Sequence, residues 1–300
     1  MNCRLAIVIP AFKSLYFIEA LESIERQTCK DFTLYIGDDA SPGNLEDISK
    51  RFAKKINIVY HRFDKNIGLI DLAKQWDRCI ELSSDEEYIW LFSDDDIMPE
   101  NAVELFYKAI ENNRGFEIFR FNIRQIDSIG SFISESTSHP EIEPAENFIY
   151  RRLKGETLSA ACEYIFSRKG YKKSGGFVHF PLAWGSDDAS WSLFGKQSGI
   201  YTIKGEPVLW RISDTNISKP GKGKAEKFKA TLLFNKWIKQ QNISDRVLKA
   251  LPYSLKRQSI ILNINLWMFL NHIVEIYKLI GLLETFKLMA YMVRRELKFR

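Results

Sequence analysis

The segment from Tyr88 to Asp96 constrains the fold most, because an apolar run ends there in three consecutive aspartates. The run itself, Tyr-Ile-Trp-Leu-Phe, has the aromatic and β-branched composition of a buried strand. Neighbouring carboxylates repel one another and resist burial unless a positive charge lies among them. In α/β sheets, ligands bind at the carboxyl ends of strands, and hard oxygen ligands suit divalent cations. The sequence therefore predicts a cation and phosphate site at this strand end; an acidic turn before the helix that follows Pro99 is the structural alternative.

Strand-like and helix-like segments alternate along roughly the first 125 residues. Apolar runs typical of strands occupy residues 4–9, 32–37, 56–60, 88–92 and 116–123. Apolar stripes at helical spacing separate them, at residues 15–24, 45–54, 69–80 and 102–110. This alternation predicts an α/β fold with a doubly wound, mostly parallel sheet that helices cover on both faces. From Ala225 onward the pattern is helical, which predicts a helical C-terminal appendage.

The net charge of +5 conceals a marked asymmetry between two parts of the chain. Residues 219–300 carry 17 Lys and Arg against 5 Asp and Glu, a net charge of +12. Residues 1–218 carry 26 against 33, a net charge of −7. We therefore expect an acidic globular domain of residues 1–218 and a basic helical region of residues 219–300. Such a region suggests a polyanionic surface as partner.

The basic region allows more than one interpretation. Residues 286–300 mix bulky apolar and basic side chains, which suits a helix lying on an anionic membrane surface. Packing of the same helix against the body or a second subunit is the alternative. The apolar stretch of residues 259–270 is too short and too polar to span a bilayer, which needs about 20 apolar residues. Residues 219–229 form a cationic loop, either a lid over the site or a linker.

The expected location is the cytoplasm. Lys13 and Glu19 interrupt any apolar core that a secretory signal would need near the start. The four cysteines are scattered and include no C-x-x-C pair, which fits a reducing compartment and argues against a zinc site or a disulfide framework.

Polar and turn residues recur at the ends of the predicted elements. They form six groups, which are Pro10, Ala11 and Phe12; Asp38 and Asp39; Asn66 and Gly68; Asp94, Asp95 and Asp96; Gly175, Gly176 and Phe177; and Asp187 and Asp188. No G-x-G-x-x-G follows the first strand, and no G-x-x-x-x-G-K-[ST] occurs. These absences argue against a dinucleotide-binding enzyme and a P-loop enzyme.

In order and spacing, these motifs resemble the inverting family 2 glycosyltransferases of the GT-A fold. That family has a V-x-P-x-[YF] strand end, a D-D-x-S turn, an N-x-G step, a D-x-D cluster, a G-G-[FY] turn and an acidic pair. The resemblance covers about residues 4–218 of this chain. It implies a hexosyl- or N-acetylhexosaminyl-transferase that uses a nucleoside diphosphate sugar, with UDP expected as the nucleotide. The implied acceptor is a glycan or lipid-linked saccharide in cell-surface polysaccharide synthesis.

The resemblance also implies roles for the donor-side residues. Asp94 and Asp96 would hold Mn²⁺ or Mg²⁺, with Asp96 as the direct ligand, and Asp95 would face the donor sugar or the loop. Asp39 would read the base, and either Asp38 or Pro10 with Ala11 would line the nucleoside. Phe12, Asn66 and Gly68 would complete the donor site. The alternative for Asp38 and Asp39 is a turn that caps the following helix.

On the acceptor side, the resemblance assigns the general base to Asp188 and a capping or acceptor-contact role to Asp187. Simple capping of the next helix by both carboxylates is the alternative. Trp184 and Trp191 would either stack on a sugar or belong to the core.

One departure from the family pattern concerns the late R-x-H element. Here Arg211 is followed by Ser213 where the histidine would stand, which puts metal coordination from this side in doubt. Arg211 would then contact phosphate or pair with a carboxylate of the body. The Q-x-x-R-W signature of processive synthases is absent, so transfer of one sugar per encounter is expected.

Two other functions stay open at this stage. One is a non-catalytic glycan- or membrane-binding scaffold on a transferase-like fold, and the other is a D-x-D phosphatase. Nucleotide-sugar turnover separates the transferase from the scaffold, and phosphate release from simple esters would favour the phosphatase. The expected partners are a nucleotide sugar, a saccharide acceptor and an anionic membrane surface, with no nucleic acid.

Overall fold

A computed structural model describes residues 4–213 and 223–298 of the chain. The strands are β1 Leu5–Ala11, β2 Thr33–Asp38, β3 Ile58–Arg62, β4 Tyr88–Leu91, β5 Ile118–Arg120, β6 Ile123–Ile126, β7 Ile142–Glu143, β8 Tyr164–Ser167, β9 Ile200–Thr202 and β10 Val208–Arg211. The helices of the first 200 residues are α1 Phe17–Glu25, α2 Leu45–Phe52, α3 Leu72–Ile80, α4 Ala102–Asn112, α5 Ala145–Lys154, α6 Arg168–Lys173 and α7 Ser186–Phe194. The C-terminal helices are α8 Lys224–Gln240, α9 Asp245–Leu248, α10 Leu251–Ile261, α11 Leu266–Leu270 and α12 Ile273–Lys298. Two 3₁₀ turns lie at Ala161–Glu163 and Pro181–Ala183.

The main sheet has eight strands in the order β3-β2-β1-β4-β8-β5-β9-β7. The first four strands in this order run parallel, and β8 runs antiparallel between β4 and β5. Strands β1, β2 and β4 are buried almost throughout, as expected for parallel strands covered on both faces. In the register of this sheet, Ala11 lies opposite Asp38, so the carboxyl ends of β1 and β2 meet at one edge. The prediction of a doubly wound, mostly parallel α/β sheet is confirmed.

The predicted fifth strand is wrong in one respect. The run of residues 116–123 is divided between β5, which belongs to the main sheet, and β6, which pairs in parallel with β10 in a separate two-stranded sheet. Apolar alternation indicates extended backbone but not which strand will be its partner. The chain leaves the main sheet where the Phe121 N–H donates to the carbonyl of Glu163 and the Asn122 carbonyl accepts from Val208.

Apolar side chains fill both faces of the main sheet. One cluster packs α1, α2 and α4 on the sheet through residues such as Phe17 and Phe106. The opposite cluster includes Phe148 of α5 and Trp191 of α7. A third cluster joins α8, α10, α11 and α12. On this second face, α5 carries Arg152, and α7 carries the acidic pair Asp187 and Asp188.

The C-terminal region is helical, as predicted, and it packs partly on the body. Helix α8 contacts α7 and the turn Pro181–Ala183, and α10 contacts α5. Helix α12 is broken at Gly281, where φ is 79° and ψ is 172°. The expected domain boundary between residues 218 and 219, with part of the cationic loop, lies outside the described residues. Across the part of the chain that the structure describes, no helix is long and apolar enough to cross a bilayer.

Candidate active site

The donor-side motifs meet at the carboxyl ends of β1, β2 and β4. The carboxylate Asp94 lies just beyond β4, and its Oδ2 accepts the backbone N–H groups of Phe12 (2.8 Å) and Lys13 (2.6 Å), just beyond β1. The N–H of Asp39, just beyond β2, donates to the carbonyl of Ala11 at 2.8 Å. Parallel pairing therefore brings three motifs that are distant in sequence into direct contact.

A lysine supplies the positive charge among the three buried aspartates. The ammonium of Lys13 lies 3.3 Å from Oδ1 of Asp94 and forms a second ion pair with Asp95. The motif analysis missed Lys13, although its place directly after Phe12 was a usable signal. The strand end that carries Pro10, Ala11 and Phe12 therefore also delivers a cation to the carboxylates.

One ammonium does not balance the cluster. Burial, with the charge of Asp96 added, raises the pKa of Asp95 to about 7 despite the opposing effect of Lys13. Burial likewise raises the pKa of Asp96. Oxygen ligands that carry uncompensated negative charge suit a hard divalent cation, so Asp94 and Asp96 fit such an ion chemically. Within residues 4–213 and 223–298, however, no three His, Cys, Asp or Glu side chains come together as a ready-made metal site.

Arg211 holds the acidic segment in place from the second sheet. Its backbone N–H donates to Oδ1 of Asp96 at 2.8 Å, and its Nε donates to the carbonyl of Asp95 at 2.9 Å. Its Nη2 pairs with Glu19 at 2.6 Å, and the guanidinium lies 4.2 Å from the ring centroid of Tyr16. The side chain is 1% exposed. Of the two roles that the sequence left open for Arg211, pairing with a carboxylate of the body is the one seen here.

Asp38 closes a turn and binds two side chains of β3. Its Oδ1 accepts the N–H of Ser41 at 2.7 Å. Its Oδ2 accepts the hydroxyl of Tyr60 at 2.5 Å and Nη1 of Arg62 at 2.7 Å. The turn is therefore present, but the following helix α2 is capped by Asn44, whose side chain accepts the N–H of Asp47. A nucleoside bound along Asp38 would also contact Arg62, which is half-exposed and pairs with Asp38.

Asp39 links the D-D-x-S turn to the N-x-G step. Its carboxylate accepts the N–H groups of Ile67 (2.9 Å) and Gly68 (2.8 Å) and pairs with Nη2 of Arg78 at 2.5 Å. A Cβ at Gly68 would lie 2.6 Å from Oδ2 of Asp39, so only glycine allows this close approach. The side chain of Asn66 donates to the Asp39 carbonyl at 3.0 Å.

The acidic pair lies in the first turn of α7. Both carboxylate oxygens of Asp188 lie close to Nε of Arg152 on α5, at 2.9 and 2.8 Å. Nη1 of Arg152 donates to the carbonyl of Thr157 at 2.8 Å, which fixes the guanidinium. This ion pair holds the carboxylate of Asp188 in one orientation beside the guanidinium of Arg152. Sequence motifs gave no signal for Arg152, which lies 36 residues earlier.

Asp187 has a different environment from its neighbour. It is partly exposed, and burial followed by the charge of Asp188 raises its pKa to about 7, against an opposing effect of Arg152. Two adjacent carboxylates with unlike environments are a common arrangement for acid–base chemistry.

A cavity of about 240 Å³ adjoins the acidic pair. Its lining includes Asp187, Asp188, Arg152, Trp76, Trp184 and Trp210. Trp210 directly precedes Arg211, whose N–H binds Asp96, so the two acidic clusters serve adjoining parts of one region. Trp184 faces the cavity, whereas Trp191 is fully buried and stacks on Tyr164 at 4.7 Å, which makes it a core residue.

A family comparison identifies the same part of the chain. The model of "Glycosyl transferase family 2" matches residues 6–174. This range contains all the donor-side motifs and ends before the acidic pair.

Curated relatives are similar over shorter stretches. Glycosyltransferase GlyG of Streptococcus pneumoniae is 28% identical over 112 residues, which are 37% of this chain and 36% of that protein. An uncharacterized glycosyltransferase of Methanocaldococcus jannaschii is 29% identical over 123 residues, which are 40% of this chain and 41% of that protein. The matched part therefore spans less than half of each relative.

Solved structures share the fold over most of the chain. S. aureus TarS 1-349 in complex with UDP-GlcNAc has a TM-score of 0.72 at 14% identity, covering 92% of this chain and 81% of that chain. Mannosyltransferase PcManGT from Pyrobaculum calidifontis, in complex with GDP-Man and Mn²⁺, has a TM-score of 0.54 at 13% identity, covering 99% and 81%.

The environment of Asp187 predicts a pH-dependent stability. Because the folded pKa of about 7 lies above the ordinary value of 3.8, the folded state keeps a proton that the unfolded state releases first. This contribution to stability is complete at acid pH and is lost as pH rises toward 7. Asp187→Asn cannot release this proton and should not lose this stability. The melting temperature of the variant minus that of wild type should therefore increase as pH rises from 4 to 7.

Differential scanning calorimetry of both proteins across that range makes the measurement. Asp64→Asn, which changes an exposed carboxylate, is the matched control and should run parallel to wild type. Parallel curves for wild type and Asp187→Asn would show that Asp187 does not retain the proton.

Proposed function

Because this chain belongs to glycosyl transferase family 2 and has the GT-A fold, we propose that it is a metal-dependent, inverting transferase that uses a nucleoside diphosphate sugar. The observation that carries the proposal is the meeting of Asp39, Asp94 and Asp96 at adjoining strand ends beside a cavity with an acidic pair. The family model indicates a glycosyltransferase, which disfavours both the scaffold and the phosphatase alternatives.

The donor would lie over the ends of β1, β2 and β4. In this proposal Asp39 would read the base, with Asp38 and the segment Pro10–Phe12 along the nucleoside. Asp94 and Asp96 would hold Mn²⁺ or Mg²⁺, which when bound neutralises the charge of the diphosphate. A UDP-linked sugar is the expected donor, and the UDP-GlcNAc named for TarS supports it.

The reaction needs one proton acceptor on the other side of the sugar. A hydroxyl of the acceptor attacks the anomeric carbon, its oxygen–carbon bond forms, and the bond from that carbon to the diphosphate oxygen breaks. The hydroxyl proton passes to a carboxylate, and the nucleoside diphosphate leaves. Asp188 is the proposed base because Arg152 orients its carboxylate and the cavity adjoins it. Asp187 is the second candidate because a pKa of about 7 is well matched to neutral pH.

The proposed acceptor is a glycan or lipid-linked saccharide of cell-surface polysaccharide synthesis. This would place the protein in the cytoplasm, peripheral on the inner face of the membrane. The outer surface of the C-terminal helices supports such a location. Within the described residues, nine large apolar side chains of residues 266–297 are at least 38% exposed. Residues 4–213, a much longer stretch, expose the same number. They are Trp267, Leu270, Val274, Tyr277, Leu282, Leu283, Phe286, Val293 and Leu297.

Basic residues accompany this apolar face. A groove of about 840 Å³ between α10 and α12 is lined by Lys249, Lys256 and Lys287, among others. The region of residues 219–300 carries a net charge of +12. Apolar side chains next to lysines suit the boundary between acyl chains and anionic headgroups, so an anionic bilayer surface is the proposed partner.

The first prediction concerns the metal. Chelation should abolish sugar transfer, and Mn²⁺ or Mg²⁺ should restore it. Asp96→Ala should lose donor binding as well as turnover, because the diphosphate would lose the cation that this carboxylate holds. Calorimetric titration with UDP, with and without Mn²⁺, measures the loss directly. Undiminished transfer in excess EDTA would contradict the metal assignment.

The second prediction concerns the base. Asp188→Asn keeps the shape of the side chain and an oxygen for Arg152 but cannot take a proton. Its turnover should fall by about 10²–10⁴-fold, while its affinity for UDP stays close to that of wild type. Asp187→Asn is the matched comparison. If Asp187→Asn is inactive and Asp188→Asn is active, the base is the other member of the pair.

The third prediction concerns the membrane. Full-length protein should co-sediment with phosphatidylglycerol vesicles, and added salt should weaken binding because exposed charges are screened over about 8–10 Å. Trp267→Ser combined with Phe286→Ser should release the protein while leaving UDP binding intact.

Leu69→Ser combined with Ile70→Ser is the control, since both side chains are exposed on the body, at 61% and 80%. It should leave vesicle binding unchanged. The alternative is that the apolar surface of residues 266–297 is a protein interface. In that case wild type does not co-sediment with vesicles, and the Trp267 and Phe286 variant changes the oligomeric state in analytical ultracentrifugation.

A further inference from the structure

The cavity beside the acidic pair has a wall that lies outside the matched family range. Helix α8 contributes Thr231 and Phe234, and α10 contributes Ser254, Arg257 and Gln258. The body contributes the opposite wall, including the acidic pair. The basic C-terminal region is therefore part of the site and not only an attachment to it. Its residues are placed to recognise whatever enters beside the carboxylates.

Arg257 is a cation without a counter-ion in this wall. It is partly buried, and the one hydrogen bond it makes within the described residues runs from Nη1 to the carbonyl of Arg152 at 3.4 Å. No carboxylate among residues 4–213 and 223–298 lies within the 4.0 Å of an ion pair from its guanidinium. Burial, with the charge of Arg152 added, lowers its pKa, although the more distant charge of Asp188 opposes this effect. A partly desolvated guanidinium of this kind gains most from an anion.

The backbone of α5 fixes the position of this guanidinium. Gly155 ends α5 with a φ of 69°, and a Cβ there would lie 2.5 Å from Nε of Arg257. The guanidinium thus packs against bare backbone, a close approach that only glycine permits. Arg257 is held at the cavity by packing and not by a carboxylate, which leaves its charge available to a ligand.

The rest of the cavity suits a sugar ring. Oε1 of Gln258 is buried and has no hydrogen-bond donor among the described residues. Trp76 and Trp184 supply apolar faces, and Asp187 supplies a carboxyl group. A ligand with a hydroxyl directed at the acidic pair and a negative charge directed at Arg257 would satisfy all of these groups.

We infer that Arg257 binds an anionic group of the acceptor, a phosphate or a carboxylate, while the hydroxyl that receives the sugar faces Asp187 and Asp188. The inference rests on the proposed function, because it takes the side of the acidic pair as the acceptor side. The donor diphosphate is the competing anion, but its proposed residues lie at the ends of β1, β2 and β4. Planar guanidinium groups bind both phosphate and carboxylate in a bidentate manner.

The test uses two methyl glycosides of similar size that differ in charge, with inorganic phosphate as a second anionic probe. Inorganic phosphate, methyl β-glucuronide and methyl β-glucoside are titrated into the full-length protein with saturating UDP and Mn²⁺. Trp76, Trp184 and Trp210 line the cavity, so intrinsic tryptophan fluorescence reports binding. Wild type should bind phosphate or the glucuronide at least about tenfold more tightly than the glucoside, the effect expected of one charge-assisted hydrogen bond. The two anions distinguish a phosphate-bearing acceptor from a uronic acid.

The variants are Arg257→Gln, Arg257→Lys and the control Arg246→Gln. Arg257→Gln should lose the preference for anions, and Arg257→Lys should keep part of it. Arg246→Gln removes the same charge from an exposed arginine of α9, whose guanidinium lies 3.9 Å from the ring centroid of Tyr150, and should bind all probes as wild type does. Melting curves and UDP titration verify that each variant is folded.

Several outcomes would overturn the inference. It is overturned if the glucoside binds wild type as tightly as the glucuronide and phosphate do. It is also overturned if Arg257→Gln retains the preference for anions. A fall in UDP affinity in Arg257→Gln, with probe binding unchanged, would assign Arg257 to the donor. If wild type binds no UDP at all, the proposed function fails instead, which separates the two results.

Discussion

Burial of three adjacent carboxylates at the end of β4 is the constraint on which the site depends. Each of Asp94, Asp95 and Asp96 is at most 4% exposed, and such charges are costly inside a protein unless polar groups surround them. The groups that surround them come from the loop after β1 and from β10. The acidic segment therefore ties the first strand of the main sheet to the small second sheet. Loss of this cluster would remove these contacts between the two sheets, and with them the proposed donor site.

Each acidic motif in this protein has a cation from a distant part of the chain. The pairs are Lys13 with Asp94 and Asp95, Arg62 with Asp38, Arg78 with Asp39, and Arg152 with Asp188. Such partners hold the carboxylates in one orientation before a ligand arrives. Arg257 differs from the others because no carboxylate of the described residues pairs with it, which is why it stands out as a contact for a substrate.

The C-terminal helices have two unlike faces. One face packs on α5 and α7 and completes the cavity beside the acidic pair. The other exposes large apolar side chains from Trp267 to Leu297. Under the proposed function, a region with these two faces would hold the cavity beside the acidic pair near a membrane in which lipid-linked acceptors reside. Residues 219–300 thus differ from the body in composition, while α8 and α10 still line a cavity together with it.

The sequence by itself determined the alternation of elements, the parallel sheet and the positions of the acidic motifs at strand ends. These features are local, because strand composition, helical spacing and turn residues are written in short stretches. Tertiary structure alone decided which strand pairs with residues 123–126, and which cations face which carboxylates. It also decided that α8 and α10 close the cavity beside the acidic pair. Lys13, Arg152 and Arg257 illustrate the reason: each contacts residues from 36 to 105 positions away. No local pattern encodes a contact of that separation, since it exists only when the chain has packed.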